Sequence, residues 1–527
     1  MIKGIGIDKD VLDKFDYELA IKRIKRDINS DFIFAPHYSI IFEKASKELF
    51  EQLKTKLLSG NYSTRLPISM NVIKQNGFSR NGSILEPIDR LAYQLVVDYI
   101  GKNAENEIDR TQVFSNVLLN EDIDGKMFER SGDSYDKFKN RIQELSKSGK
   151  YTHVLKSDIS SYFDKIYQHN IGNLLYSSGA DSKAVSFLER FMLLLRENDS
   201  HGIVQGVFPS DLLGNFALCD IDAQHSLEGL EFSRYVDDIY IFFDSLNNAK
   251  IHKVRLGNWL RKDGLTLNES KTRIFEVNEL QHEESELDKL FENAKSEIID
   301  RTIEIDVNYG LDSLIWDLET NTTYEEKYDE EDLKLEATKK LFNSRKEFSN
   351  KFKIEKYCLS IFTTVNCDYA IEQVLKNFAD EPSLAQTYFG YLRKMIVSNR
   401  ITHSDIESLL KKPNLIFDYQ KKWVYSLILY LDNVNPEILN IAMKDLKSNE
   451  KNISLRALCA IIIGKHGTSA FRRILKTHYQ SENSEYVKSA ILYASQYFST
   501  QNRDTCYKAW SGHSDINTLI VRALKKK

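Results

Sequence analysis

The pattern of hydrophobic positions divides the chain into a mixed first half and a helical second half. Before residue 60, runs such as EKASKELFEQLKTKLLSG repeat apolar residues at helical spacing, and Gly60 is a typical helix C-cap. Residues 61–83 are predicted to be irregular, and a helix follows them. Between residues 151 and 280, β-prone runs such as YTHVLKSDIS and FSRYVDDIYIFF alternate with helical runs. This alternation predicts an α+β layer with one sheet.

The composition changes after about residue 280. Two acidic helical runs, HEESELDKLFENAKSEIID and TTYEEKYDEEDLKLEATKKLF, predict a charged helical connector over residues 286–345. From residue 346 to 527 the pattern is helical throughout. The segments WVYSLILYL, LRALCAIIIGKHG and VKSAILYASQYF recur about 32 residues apart. This spacing favours stacked helix pairs of the HEAT type, with an irregular helical domain as the alternative.

Length, charge and cysteine usage exclude some classes of protein. The 527 residues exceed the roughly 250–300 at which a single core stops growing, so we expect two or more domains. The formal net charge of −5 gives no overall positive field, so any contact with nucleic acid requires a local groove. Five unpaired cysteines and the lack of a long apolar run predict a cytoplasmic protein without a membrane span.

Acidic residues interrupt two of the β-prone runs. Asp237 and Asp238 are adjacent in FSRYVDDIYIFF, and Asp158 ends YTHVLKSDIS. Burying neighbouring carboxylates is costly, and an exposed hairpin tip is the simplest way to avoid that cost. The alternative is a bound metal, since three carboxylates are the minimum for a two-metal site, and Mg²⁺ prefers a few carboxylates plus substrate phosphates. Between them, Gln205 and Gly206 begin a segment that approaches the same region.

Five segments in this order resemble the motifs of reverse transcriptases. They are the fingers motif VIKQNGFSRNGSILEPIDRLAYQ, motif A (SDISSYFDKI), motif B (VQGVFPSDLLGN), motif C (YVDD) and the stretch DGLTLNESKT. The resemblance covers about residues 60–275. It implies an α+β fold with reverse-transcriptase-like fingers (about 1–150) and palm (about 151–285), followed by the connector and an all-α, HEAT-like domain over residues 346–527.

The resemblance also implies how the matching residues act in catalysis. Asp158 and Asp237 would hold two Mg²⁺ ions, with Mn²⁺ as an alternative, and Asp238 would support them. Phe163 would be a steric gate that excludes a ribose 2′-hydroxyl; simple packing is the other interpretation. Lys271 would protonate the leaving pyrophosphate, although an exposed surface lysine is an equally simple explanation.

Five further residues match the nucleotide-binding and fingers motifs. Gln205 would contact the incoming nucleotide, and Lys74 and Arg80 would hold its triphosphate, since multiple N–H donors suit phosphate oxygens. Asp89 and Arg90 would brace the fingers helix through an ion pair.

A polymerase core followed by a helical half is similar to the bacterial abortive-infection reverse transcriptases, the AbiK-like group. That similarity implies deoxynucleotide substrates, synthesis without a template from a protein hydroxyl, single-stranded DNA product attached to the protein, homo-oligomers and defence against bacteriophage. The priming residue is unknown among 27 tyrosines, and Tyr17, Tyr38 and Tyr62 are guesses. Two alternatives stay open: a conventional RNA-templated enzyme, retron-like or intron-like, and an inactive polymerase-like module in a helical-repeat interaction protein.

Overall fold

The computed structural model describes residues 4–280, 335, 338–348 and 351–526. These residues belong to two compact units. The first unit comprises residues 1–27, 53–66 and 89–308, and the second comprises residues 28–52, 67–88 and 309–527. Two segments from the N-terminal part of the chain therefore share a unit with the C-terminal helices. Most of the predicted connector lies outside the described residues, and the predicted domain boundaries stay a prediction.

The strands of the described residues are β1 (Ile68–Ile73), β2 (Ser79–Ile84), β3 (Leu118–Ile123), β4 (Lys126–Phe128), β5 (His153–Ser157), β6 (Phe232–Tyr235), β7 (Asp238–Phe243) and β8 (Arg273–Glu276). The helices of the first half are Lys9–Leu12, Tyr17–Asp27, Pro36–Lys44, Ser46–Leu58, Pro87–Asn106, Ser131–Lys147, Tyr162–Lys165, Gln168–Ser177, Ser182–Leu195, Phe208–Phe216, Cys219–Leu227 and Leu246–Lys262. Those of the second half are Lys351–Thr364, Ile371–Asn377, Ala385–Val397, His403–Leu409, Asp418–Ile428, Pro436–Lys447, Ile453–His466, Ser469–Ser481, Glu485–Ala494, Thr500–Trp510 and Asp515–Lys525.

A four-stranded antiparallel sheet forms the centre of the first unit, in the order β6-β7-β5-β8. Strand β5 is one of the two inner strands, and its apolar residues Val154 and Leu155 are fully buried. Ser157, the last residue of β5, pairs with Ile239 near the start of β7. Because the two strands are antiparallel, the end of β5 and the start of β7 lie at the same edge of the sheet. Asp158 directly follows β5 and Asp238 begins β7, so acidic residues lie at this edge of the sheet.

The prediction of irregular structure over residues 61–83 was wrong for most of that segment. Strands β1 and β2 form an antiparallel hairpin with Ile68 opposite Ile84. The hairpin loop is closed by a hydrogen bond from the Lys74 backbone N–H to the Phe78 carbonyl, 2.7 Å long, and Gly77 takes a left-handed conformation with φ +79°. Asn-Gly beside a β-prone run is a strong hairpin signal, which the sequence interpretation did not use.

The C-terminal part of the second unit is helical, as predicted. Six helices pack one against the next; they begin at residues 351, 385, 418, 453, 485 and 515, with the other helices between them. This regular alternation agrees with the spacing seen in the sequence, while the assignment to the HEAT type stays a prediction. No helix in the described part of the chain is long and apolar enough to cross a bilayer.

The hairpin and the segment before it pack on this helical stack within the second unit. Asn452 donates a hydrogen bond from Nδ2 to the Ser69 carbonyl, 2.8 Å long. Lys422, which is fully buried, donates from Nζ to the Phe32 carbonyl at 2.9 Å. The backbone carbonyls of these segments are thus satisfied by side chains from the stacked helices.

At Gly464 two stacked helices approach each other closely. A Cβ added there would lie 2.6 Å from the Ala494 Cβ and 2.8 Å from its carbonyl oxygen. We expect Gly464→Val to destabilise the protein by about 1–3 kcal/mol, because overpacking forces the helices apart. Gly512→Val is the control, since nothing lies within 4 Å of a Cβ at that position. Thermal unfolding midpoints of both variants test this; equal midpoints would contradict it.

Candidate active site

Three carboxylates meet at one edge of the central sheet. Asp158 directly follows β5, Asp237 lies in the turn between β6 and β7, and Asp238 begins β7. Asp158 is buried, whereas Asp237 and Asp238 are half-buried, so the turn does not expose the pair as a simple hairpin tip would. Burial, together with the charges of Asp238 and Asp158, raises the pKa of Asp237 to about 7. The ionised form of Asp237 is therefore electrostatically unfavourable unless a cation lies close to it.

Asp158 is held by two side chains from the stretch DGLTLNESKT. Lys271 donates from Nζ to Oδ1 at 2.7 Å, and Asn268 donates from Nδ2 to Oδ2 at 2.8 Å. The Asn268 backbone N–H also donates to the Asp158 carbonyl at 2.8 Å. Burial alone would lower the pKa of Lys271, but the hydrogen bond and charge of Asp158 raise it above the usual value. Lys271 therefore contacts Asp158, while its predicted catalytic role stays a prediction; Asn268 was not among the predicted residues.

The donor set suits divalent metal ions in its chemistry. Mg²⁺ is bound by carboxylate oxygens together with substrate phosphates, and the trio offers carboxylate oxygens only. Within the described ranges, no three acidic, histidine or cysteine side chains surround a common point as a complete protein cage would. The two carboxylate oxygens of Asp158 accept hydrogen bonds, Oδ1 from Lys271 and Oδ2 from Asn268. Any bound ion would take its remaining ligands from substrate.

The turn that carries Asp237 has a strained residue in front of it. Val236 takes a left-handed conformation with φ +56°, which a β-branched residue rarely adopts. Its N–H donates to the Ser115 Oγ at 2.8 Å, and its carbonyl accepts from the Arg234 Nη1 at 2.8 Å. The backbone N–H and carbonyl of Val236 are therefore both held by hydrogen bonds. These bonds also fix the orientation of the next residue, Asp237.

Arg234 connects the Val236 turn to a buried hydrogen-bond network. Its guanidinium is fully buried and donates from Nε to the Asp222 Oδ1 at 2.9 Å and from Nη2 to Oδ2 at 2.5 Å. Nη1 also donates to the Asn215 Oδ1 at 2.9 Å, and Ser115 donates to the same oxygen at 2.8 Å. The sequence interpretation missed this network. An arginine inside an apolar strand was the available signal, since such a charge needs a buried partner.

Phe163 lies in motif A, and Gln205 lies in motif B. Phe163 is 4% exposed and packs against the helix Phe208–Phe216 at Gly214. Gln205 is half-buried in the loop before that helix, next to Gly206, which has φ +90°. The roles predicted for both side chains stay predictions.

The predicted triphosphate ligands lie in the second unit, on the β1–β2 hairpin. Lys74 is exposed in its loop, and the Arg80 guanidinium stacks 4.3 Å from the centre of the Phe32 ring. The cation–aromatic contact gives Arg80 a defined orientation on the hairpin. Binding of a triphosphate by Lys74 and Arg80 stays a prediction.

The fingers helix is braced from its first turn. Arg90 donates to the Asp27 Oδ2 at 2.8 Å, and Phe208, the first residue of the motif B helix, donates its N–H to the same oxygen at 3.1 Å. Asp89 accepts from the Tyr62 hydroxyl at 2.5 Å and is fully buried. Asp27 thus makes an ion pair with the fingers helix and caps the motif B helix.

Comparison with known proteins gives one family match. The model described as "Reverse transcriptase (RNA-dependent DNA polymerase)" matches residues 80–299. No curated protein matches the chain.

Three solved telomerase structures are similar over most of the chain. Apo telomerase from Candida tropicalis has 10% identity and a TM-score of 0.30, covering 90% of this chain and 73% of that one. Telomerase from Candida albicans with a TWJ fragment of telomeric RNA has 13% identity and a TM-score of 0.29, covering 83% and 71%. The Candida tropicalis enzyme with the same kind of fragment has 12% identity and a TM-score of 0.29, covering 75% and 67%. Likeness at this level does not bear on the chemistry of the site.

The family match and the carboxylate geometry concern the same part of the chain. Residues 80–299 match a reverse transcriptase domain, and this match supports nucleotidyltransferase chemistry of the reverse-transcriptase type for that part. The fold expected from the sequence, a reverse-transcriptase-like α+β part with a helical C-terminal region, is confirmed.

Proposed function

We propose that this protein is a DNA polymerase that adds deoxynucleotides at Asp158, Asp237 and Asp238 by two-metal phosphoryl transfer. The observation that carries the proposal is the meeting of these carboxylates at one sheet edge, next to the Lys271 amino group 2.7 Å from Asp158. When bound, two Mg²⁺ ions would stabilise the attacking and the leaving oxygen. Asp158 and Asp237 would hold them, and Asp238 would support the pair.

Other side chains of the chain would bind and orient the nucleotide. Lys271 is protonated near neutral pH, as a lysine ordinarily is, and its amino group would donate a proton to the leaving pyrophosphate. Gln205 would contact the nucleotide, and Phe163 would exclude a 2′-hydroxyl. Lys74 and Arg80 would bind the triphosphate through their several N–H donors.

We further propose that synthesis needs no template and starts from a protein hydroxyl, and that the enzyme acts as a homo-oligomer in the cytoplasm in abortive-infection defence against bacteriophage. The helical C-terminal region and the net charge of −5 support this, because templated polymerases usually hold a duplex with many basic residues. A priming hydroxyl must be accessible. Tyr38 and Tyr62 are buried, and the exposed tyrosines of the described residues are Tyr167, Tyr176 and Tyr369.

The test is incubation of the purified protein with Mg²⁺ and labelled deoxynucleotides, without primer or template. Wild type and Asp237→Ala are compared, and products are resolved before and after protease treatment. We expect DNA that migrates freely only after proteolysis and that is absent with the variant. Mass spectrometry of the digested product would identify the priming residue.

A second reaction on a primed RNA template separates the main alternative. Synthesis that requires the template and follows its base composition would establish a conventional reverse transcriptase and exclude the untemplated activity. Absence of synthesis in both reactions would contradict the polymerase proposal itself.

A further inference from the structure

Two consecutive residues of motif A contact a single residue of the motif B helix. Tyr162 donates a hydrogen bond from its buried hydroxyl to the Gly214 carbonyl, 2.5 Å long. The Phe163 ring lies on the Cα face of the same glycine: a Cβ at position 214 would be 2.9 Å from Cε1 and 3.0 Å from Cζ. Gly214 is therefore in contact with both aromatic residues.

The backbone of the motif B helix does not itself require glycine at this position. Gly214 lies inside the helix Phe208–Phe216 and is not among the residues with positive φ. Glycine is less favourable than alanine in a helix interior. Space for the Phe163 ring is the structural reason for its presence, since the distances above are shorter than carbon–carbon contacts of about 3.5–4.0 Å.

The backbone of Phe163 is also fixed. Its carbonyl accepts a hydrogen bond from the Ile203 N–H at 2.9 Å, and the following turn is closed by the bond from the Asp164 N–H to the Ser161 carbonyl at 3.0 Å. With the backbone held and the ring 4% exposed, the Cα face of Gly214 is one of the surfaces that set the depth of the ring.

We propose that Gly214 is a specificity-determining residue of the polymerase. It lets the Phe163 ring lie directly on the motif B helix and so sets the space left for a substituent at the 2′ position of the nucleotide. The inference rests on the proposed function, in which Phe163 is the gate against ribonucleotides.

Alanine at position 214 should displace the ring away from the helix. A shift of about 0.5–1 Å restores normal contact distances, and misplacement on this scale can change rates by up to about 100-fold. We expect Gly214→Ala to change the ratio of kcat/KM for dATP over ATP by about tenfold. Gly257→Ala is the matched control, because a Cβ in that helix meets its neighbours only at 3.6–3.7 Å.

A double-mutant cycle shows whether Gly214 acts through Phe163. The ratio of kcat/KM for dATP over ATP is measured for wild type, Phe163→Ala, Gly214→Ala and the double variant. We expect Phe163→Ala to lower the ratio, and Gly214→Ala to alter it only while Phe163 is present. An equal change in the Phe163→Ala background, or no change in either background, would overturn the inference alone.

Two other outcomes are decisive. In the first, wild type adds nucleotides while Phe163→Ala leaves the ratio of kcat/KM for dATP over ATP unchanged. That result would contradict both the gate role of Phe163 and the inference about Gly214, but it would agree with the polymerase proposal. If Gly214→Ala yields no folded protein, the shorter side chain of Phe163→Leu should restore folding to the double variant; failure to restore it would overturn the proposed contact.

Discussion

Replacing Asp237 by asparagine should reduce deoxynucleotide incorporation by about 1,000-fold or more while the protein stays folded. The amide removes one anionic oxygen ligand from the edge where β5 and β7 meet. Metal stabilisation of transition-state charge contributes several kcal/mol, and each ~1.4 kcal/mol lost costs about tenfold in rate.

Stability should respond in the opposite direction. Burial, with the charges of Asp238 and Asp158, raises the pKa of Asp237 to about 7, so ionised Asp237 opposes folding at pH values above 7. This cost is absent below the unfolded value, near ~4, and asparagine avoids it at every pH. We expect the melting temperature of Asp237→Asn at pH 8, without added metal, to equal or exceed that of wild type.

The control for this variant is Asp244→Asn. Asp244 is exposed just beyond the other end of β7, so both activity and melting temperature should stay close to wild type. Incorporation and thermal unfolding are measured on the same preparations. Wild-type activity in Asp237→Asn, or an equal loss in Asp244→Asn, would mean that the chemistry takes place elsewhere.

Replacing Arg234 by methionine should destabilise the protein strongly, by about 3–5 kcal/mol. Methionine fills much of the space but leaves the buried Asp222 carboxylate without its cation, and it removes the donor to the Val236 carbonyl. The strained turn then loses one of its two supports. Activity should fall as well, because Asp237 follows Val236 directly.

The exposed ion pair between Arg255 and Glu228 supplies the comparison. Arg255 donates to Glu228 at 2.7 Å with 47% of its side chain exposed, so Arg255→Met should cost less than about 1 kcal/mol. Adding Asp222→Leu to Arg234→Met should recover part of the lost stability, since the stranded charge disappears. Denaturant unfolding midpoints of these variants measure the loss of stability. Similar losses for Arg234→Met and Arg255→Met would contradict the idea that burial makes the Arg234 ion pair more important.

Local pattern was sufficient to predict strand β5 and the β6–β7 hairpin and to draw attention to the acidic residues beside them. Strand β5 and the β6–β7 hairpin are short apolar runs interrupted or followed by aspartate, so both the elements and the candidate ligands can be seen in continuous sequence. Lys271 and Phe163 were found through their motifs. Structure then added what the motifs do not state, namely that Lys271 donates to Asp158.

The supports of the site depend on contacts between distant parts of the chain. Arg234 is held by Asp222 and Asn215, and Ser115 reaches the same network from a separate segment. Nothing in the local sequence of Ser115 distinguishes it from a surface serine. Gly214 was likewise unremarkable, because its importance comes from a ring about 50 residues earlier in the chain.

The composition of the second unit has a consequence for how the protein is made on the ribosome. Residues 28–52 and 67–88 share a unit with the described C-terminal helices of residues 351–526, which are synthesised more than 200 residues later. At about 5–20 residues per second, the hairpin that carries Lys74 and Arg80 waits on the order of 10–40 s for its packing partners. A two-stranded hairpin is marginally stable alone, so we expect the hairpin to lack stable structure until its packing partners are synthesised. The hairpin therefore folds stably only after the helical stack has been synthesised, and a chain interrupted before the stack leaves the hairpin without its packing surface.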